Sequence, residues 1–142
     1  MQTTLKYGEI QRSVIFLNNL LQKDKNKDET GVDLTNKFSL KLFRIHSTLE
    51  EEMAVFNKRL EEVKMEYIEK DEDGNPVTET NDDGQDMYKV TDQKELQNAL
   101  NELYAEDCEI HISMSLDPDE LDNQELGLED YSDFQFLNPF IQ

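Results

Sequence analysis

Nine apolar side chains, Phe38, Leu42, Ile45, Leu49, Met53, Phe56, Leu60, Val63 and Tyr67, recur at steps of three or four residues, with neither proline nor glycine between Val32 and Glu72. That period puts them on one face of an α-helix. The pattern predicts a helix from about Leu34 to Ile68, roughly 50 Å long at 1.5 Å per residue, with Asp33 as its cap. Two successive four-residue steps at Ile45, Leu49 and Met53 interrupt a strict heptad, so an indefinitely propagating coiled coil is not expected.

Upstream, "TTLKY" alternates Thr3, Leu5 and Tyr7 on one face and predicts a short strand, with Gly8 as the break after it. Ile10, Val14, Leu17 and Leu21, broadened by Phe16 and Leu20, predict an amphipathic helix of about three or four turns. "KDKNKDETGVD" then reads as a polar loop.

Downstream of the long helix, "DGNPV" and "NDDGQD" each carry an Asp-Gly turn signal, and "VTET" and "MYKV" have strand composition, which predicts a hairpin. Asp92 followed by Glu95 is a capping box for a third helix whose Leu96, Leu100 and Leu103 share a face. "CEIHISMSL" alternates apolar and polar side chains from Cys108 to Leu116 and predicts a strand with one buried face. In "DPDEL", Asp117 and Pro118 are the cap and first position of a short helical turn. The end, "LGLEDYSDFQFLNPFI", gathers aromatic residues that are expected to dock on the chain itself or on a neighbour.

These elements define an α+β fold: a helical hairpin with one long helix, a small antiparallel sheet and a third helix. At 142 residues the chain is read as a single domain. Residues 1–68 form its strand, first helix and long helix; residues 69–142 form its hairpin, third helix, late strand and aromatic tail.

The charge map sharpens this division. The net charge is −19, yet residues 1–68 carry eleven acids and eleven bases, whereas residues 69–142 carry twenty-two acids and three bases. An acidic half repels phosphate, so direct contact with nucleic acid or an anionic membrane is not expected, while basic protein surfaces remain attractive partners. No apolar run approaches the ~20 residues of a membrane span and the start lacks a signal-peptide core, so a soluble protein without a visible export signal is the expectation. One cysteine, Cys108, excludes an internal disulfide and is read as a small core residue.

The long helix also raises a packing problem. A compact domain of this length has a radius of gyration near ~14 Å, and a short first helix cannot cover so long an apolar stripe. Phe38, Leu42, Ile45, Leu49, Met53, Phe56 and Leu60 are therefore expected to bind a partner, most simply another copy in a homo-oligomer. Phe134, Phe136 and Phe140 of the tail join them as candidate contacts.

Candidate chemistry is thin. "DKNKDETGVDLT" sets Asp24, Asn26 and Asp28 at the first, third and fifth positions of an EF-hand loop, but Glu29 replaces the sixth-position glycine and Thr35 the twelfth-position glutamate. "DEDGNPVTETND" fails alike, with Pro76 sixth and Asp82 twelfth. One cysteine and two histidines, His46 and His111, cannot supply a zinc site. Thirty-three acids make any pairing of carboxylates for glycoside hydrolysis uninformative. No phosphate-cradling glycine loop, serine elbow or Cys–His pair is present. No enzyme, metal or cofactor is expected. Acidic mimicry of nucleic acid is disfavoured because the longest rigid element is electrically balanced.

The order of these pieces resembles the small acidic proteins encoded by tailed bacteriophages. The resemblance is carried by "LKYGEIQRSVIFLNNLL", by the long helix ending in "EEVKMEYIEKDEDGNPV", by "ELQNALNELYAEDCEIHI" and by the closing "LNPFI". The chain departs from that pattern in a longer first loop and an enlarged "TETNDDGQDMYKV" hairpin. The resemblance implies a non-enzymatic protein that binds other phage structural proteins or itself, in a tail, a neck or their assembly. The other reading is an acidic inhibitor of a host or defence protein that binds nucleic acid.

Overall fold

A computed structural model of the chain describes residues 1–126 and 135–142. Those residues form a mixed α+β fold with one long helix and two small antiparallel sheets. Strand β1 (Gln2–Lys6) leads directly into α1 (Tyr7–Lys25), followed by the short α2 (Lys27–Thr30) and the long α3 (Asn36–Glu66). The hairpin strands β2 (Thr78–Thr80) and β3 (Asp86–Tyr88), helix α4 (Gln93–Tyr104), strand β4 (Asp107–His111), the short α5 (Pro118–Leu121) and a 3₁₀ turn at Asn138–Phe140 complete the order.

The chain divides into two compact units, one of Met1–Ala54 with Glu106–Gln142 and one of Val55–Ala105. In the first unit β1 pairs antiparallel with β4, from Gln2 opposite His111 to Lys6 opposite Asp107. Leu5, Cys108 and Ile110 turn to the buried face while Glu109 and His111 stay outside, as the period-two alternation requires. The regular strand is shorter than the alternation in "CEIHISMSL": the ladder runs to His111, Ile112 bonds to the Met1 carbonyl, and Leu116 bridges in parallel to Ile141.

Tyr7 is the first residue of α1, and Gly8 lies inside that helix rather than breaking it. The Glu9 carboxylate accepts from the Lys6 backbone N–H at 2.8 Å and satisfies a donor at the helix start. Helix α1 runs for 19 residues, longer than expected, into the first three residues of the segment read as loop, and α2 takes four more. Its buried residues are Ile10, Ser13, Leu17 and Leu20, so its inward face is rotated slightly from the Val14–Leu21 stripe.

The long helix starts later than expected. Thr35 rather than Asp33 is its cap: the Thr35 hydroxyl accepts from the Phe38 N–H at 3.3 Å and the Thr35 carbonyl accepts the first helical bond, from Ser39, at 2.9 Å. Asp33 pairs instead with Glu125 in an isolated antiparallel bridge. Gln124, only 8% exposed, holds the cap. Its Oε1 accepts from the Thr35 N–H at 2.7 Å, and its Nε2 donates to the Thr35 hydroxyl at 3.3 Å and to the Glu120 carbonyl at 2.8 Å. Glu120 also receives both Lys41 hydrogen bonds, at 2.8 and 2.7 Å. The start of α5 has the expected architecture, with the Asp117 carboxylate accepting from the Asp119 N–H and the Glu120 carboxylate from the Asp117 N–H.

The second unit contains the acidic stretch. Two turns ten residues apart share one hydrogen-bond pattern. Asp71 Oδ1 accepts from the N–H groups of Asp73 and Asn75, and Asn81 Oδ1 accepts from those of Asp83 and Gln85. Gly74 and Gly84 follow at φ +81° and +78°, the left-handed region that favours glycine. Helix α4 begins with the Asp92 carboxylate accepting from the Glu95 N–H at 3.0 Å. Its Tyr104 ring lies 4.9 Å from that of Phe56.

Candidate functional site

The stripe on α3 is covered from within the chain. Phe38, Leu42, Ile45, Leu49 and Met53 are buried in the first unit, together with Ile10, Leu17, Leu20, Ile110, Leu116, Leu137 and Phe140. Phe56, Leu60 and Val63 are buried in the second. The expectation that Phe38 to Leu60 form a partner-binding seam is therefore corrected: these side chains are core. The length comparison counted only α1 as cover. In the first unit the β1–β4 sheet and the C-terminal segment also contribute buried side chains, and in the second α4 supplies the Tyr104 ring.

The tail behaves in the same way. Phe140 is fully buried and Phe136, half-buried, stacks with Phe16 at 5.3 Å between ring centroids. Both contacts are within the first unit. Phe134 lies outside the described residues.

Among the described residues the exposed large apolar side chains are Ile15, Leu40, Phe43, Val55, Met65, Met87 and Tyr88, of which four line grooves. On the first unit Leu40 and Phe43 are 49% and 58% exposed. They line a groove of about 500 Å³ between the C-terminal half of α1 and the N-terminal half of α3. Asn18, Gln22 and Lys25 contribute from α1, and His46 from α3. Asp24, also in the wall, is already committed: its Oδ1 accepts from the Leu34 N–H at 2.8 Å and from the Lys27 ammonium at 3.0 Å. His46 is only 8% exposed, and its Nε2 has no hydrogen-bond partner among the described residues; the Glu50 carboxylate stands 3.6 Å away.

On the second unit Met87 and Tyr88 are 54% and 55% exposed. They and Asp86 line a groove of about 510 Å³ with Lys64, Ile68, Val90 and Leu96. Every residue of β2 and β3 is exposed, and α4 has no fully buried residue despite its amphipathic sequence. A two-stranded hairpin is marginal in water unless one face is packed. This unit holds fourteen acids and six bases, a net charge of −8.

A partly buried polar cluster in the first unit joins Cys108, Glu52 and Tyr7. The Cys108 thiol lies 3.4 Å from Glu52 Oε2. Burial, with the neighbouring Glu52, pushes the Cys108 thiol up, and the Tyr7 phenol is pushed up to about 12 by its hydrogen bond with Cys108 and by burial. Both groups are thus held neutral, which is a packing role and not the depressed thiol of a nucleophile.

Among the described residues no group of three or more His, Cys, Asp or Glu side chains is placed to hold a metal ion. Asp24 and Asp71, first in the two calcium-like spacings, are used by backbone and lysine donors. No helix among the described residues is long and apolar enough to cross a membrane. No protein-family model, curated protein or solved structure matches the chain.

Leu40, Phe43, Met87 and Tyr88 were not singled out by the sequence pattern. Leu40 and Phe43 are three residues apart on α3, off the main stripe, and a second apolar ridge at helical spacing was the available signal. Met87 and Tyr88 are adjacent in a strand, so they cannot both share one inward face.

Proposed function

We propose that the protein acts by binding other proteins, without catalysis, as a component of a tailed-bacteriophage particle or of its assembly. The observation that carries this reading is the placement of four large apolar side chains, Leu40, Phe43, Met87 and Tyr88, on two open grooves of a chain whose helix stripe is already buried. Apolar surface left in contact with water beside polar rims marks contact sites. The viral and particle assignment rests on the resemblance of "LKYGEIQRSVIFLNNLL", "EEVKMEYIEKDEDGNPV" and "ALNELYAEDCEIHI" to phage proteins. Mass spectrometry of purified phage particles tests it. Stoichiometric recovery of the chain supports a particle component, and absence from particles and from their assembly intermediates refutes it.

The net charge of −8 on the second unit favours one other reading, an intracellular inhibitor that docks on a basic surface of a nucleic-acid-binding protein. Capture of such a protein at low salt and its release near ~0.5 M salt, where screening extends within a few ångströms, would favour that alternative.

A further inference from the structure

We propose that the outer edge of β3 binds an extended segment of a partner protein as an added strand, and that apolar and basic side chains alternate along that segment. This rests on the reading of the protein as one that acts by binding other proteins, and names the surface and the chemistry of the partner.

The open edge follows from the hydrogen bonds of the second unit. The Asn81 N–H donates to the Gln85 carbonyl and the Lys89 N–H to the Val77 carbonyl, each at 2.8 Å, so the odd-numbered residues of the hairpin turn their backbone groups toward each other. Past the hairpin the same side of the chain stays occupied: the Lys89 carbonyl accepts from the Glu69 N–H and the Thr91 N–H donates to the Tyr67 carbonyl, both at 2.8 Å. In an antiparallel ladder the alternate residues point their groups the other way. The N–H and C=O groups of Asp86, Tyr88 and Val90 therefore face outward, with no backbone partner among the described residues.

The groove of about 510 Å³ runs along that edge. Asp86, Met87 and Tyr88 all line it, although successive strand side chains point to opposite faces. A groove that touches all three borders the backbone edge and not one face. Val90, the third residue with outward groups, lines it too, and Ile68 and the α4 residue Leu96 add apolar wall. Neither proline nor a positive φ interrupts Asp86–Val90, so the backbone is free to pair along its length. A row of unpaired donors and acceptors beside apolar pockets is what an added strand uses: main-chain bonds supply affinity and alternate side chains fill the pockets.

Charge sets the partner's chemistry. The unit carries a net charge of −8. Lys64, which lines the groove, has its ammonium 3.6 Å from the Glu61 carboxylate, whereas the Asp86 carboxylate accepts from the neutral Thr80 hydroxyl at 2.9 Å and keeps its charge uncompensated. Apolar side chains of the added strand enter the groove and basic ones meet the acidic surface around it. A second copy pairing through the same edge would set −8 against −8.

The full-length protein is titrated with a peptide of alternating lysine and valine, and amide exchange is followed by NMR. A glutamate–valine peptide and a lysine–valine peptide N-methylated throughout are the controls. The lysine–valine peptide is expected to slow exchange at the Asp86, Tyr88 and Val90 amides, with little change at Met87 and Lys89, and to bind at least about tenfold more tightly than either control. Tyr88→Pro removes one outward N–H and leaves the inward bonds in place; Met87→Ser keeps every backbone bond and removes an apolar side chain. With the Asn81 and Lys89 amides still protected, each variant is expected to bind the peptide at least about fivefold more weakly.

No binding at about 1 mM peptide, a Kd that contributes only ~4 kcal/mol, would overturn the proposal. So would binding that leaves the three outward amides unprotected, controls that bind as tightly, or variants that bind like wild type. Protection of the same amides in the protein alone, with a dimer in native mass spectrometry, would assign the edge to a second copy and overturn it as well. Recovery of the chain from purified particles without peptide binding would remove the added strand and leave the particle reading standing; peptide binding by a chain absent from particles would do the reverse.

Discussion

Leu49→Ala separates a core stripe from an interface stripe. Leu49 has no exposed surface within the single chain. The substitution removes three carbon atoms, about 2.4 kcal/mol at roughly 0.8 kcal/mol per buried CH₂, and the cavity left behind raises the expected loss to about 2–5 kcal/mol. Against a total stability of about 5–15 kcal/mol this is large. With a urea slope of about 1.5–2 kcal/mol/M, a loss of 3 kcal/mol lowers the midpoint by about 1.5–2 M. Urea unfolding is followed by circular dichroism at 2 and 50 μM protein, beside Phe43→Ala, whose ring is 58% exposed and whose loss should cost within about 0.5 kcal/mol. The Leu49→Ala shift should be the same at both concentrations. A loss under about 1 kcal/mol, or a midpoint that rises strongly with protein concentration in the wild type and not in the variant, would show that Leu49 is covered by a partner.

Gln124→Ala leaves the Thr35 N–H without its partner, while the Glu120 carbonyl keeps the Asn123 N–H, and should cost about 1–3 kcal/mol, read from thermal melts. Gly74→Ala and Gly84→Ala meet no atom within 4 Å, so strain at positive φ is the whole effect. Each should cost about 1–2 kcal/mol, nearly equally, in hairpin amide exchange. Because the folded-state pKa of Tyr7 is raised above its ordinary value of 10.0 to about 12, the folded state holds that proton more tightly. Stability is therefore unaffected below pH 10 and falls as pH rises from 10 to 12. An absorbance titration should show one tyrosine ionising late, and Tyr7→Phe should abolish that late step. Cys108, buried with its thiol pushed up, should react with a thiol reagent at pH 8 at the rate of unfolding, becoming fast only in denaturant; rapid labelling of the native chain would contradict the buried thiol.

Local signals read well where a single residue type had one physical use. Asp92 caps α4, Asp117 and Pro118 open α5, and the glycines of "DGN" and "DGQ" take the left-handed turns. The period of α3 identified its buried face from Phe38 to Val63, whereas Tyr67, the last residue of that pattern, lies beyond the helix and is only half-buried. What was not legible depended on tertiary partners. Asp33 and Thr35 both suit a cap, and the choice falls to Thr35 because Gln124, 89 residues away, binds it. The same limit explains the misassigned stripe. Periodicity identifies which side chains need cover, but not that β1, β4 and the C-terminal segment would join α1 around them. Gly8 was read as a break because its local cost is real, about 0.5–1 kcal/mol relative to alanine. Burial of Ile10, Leu17 and Leu20 on the same helix outweighs it. His46 was considered only as a zinc ligand; nothing in the local sequence signals that its Nε2 is buried without a hydrogen-bond partner among the described residues.

The pairing of Gln2 with His111 spans more than a hundred residues, and the intervening Val55–Ala105 unit is contiguous in sequence. During synthesis, β1 leaves the ribosome long before its mate exists, while every residue of the acidic unit is available before the first unit can close. The distant ends meet last, after a costly loop closure. Ribosome-bound chains halted once Ala105 has cleared the exit tunnel should therefore show the hairpin and α4 protected from exchange while β1 remains unprotected, its bare edge open to whatever chaperone or neighbouring nascent chain encounters it first.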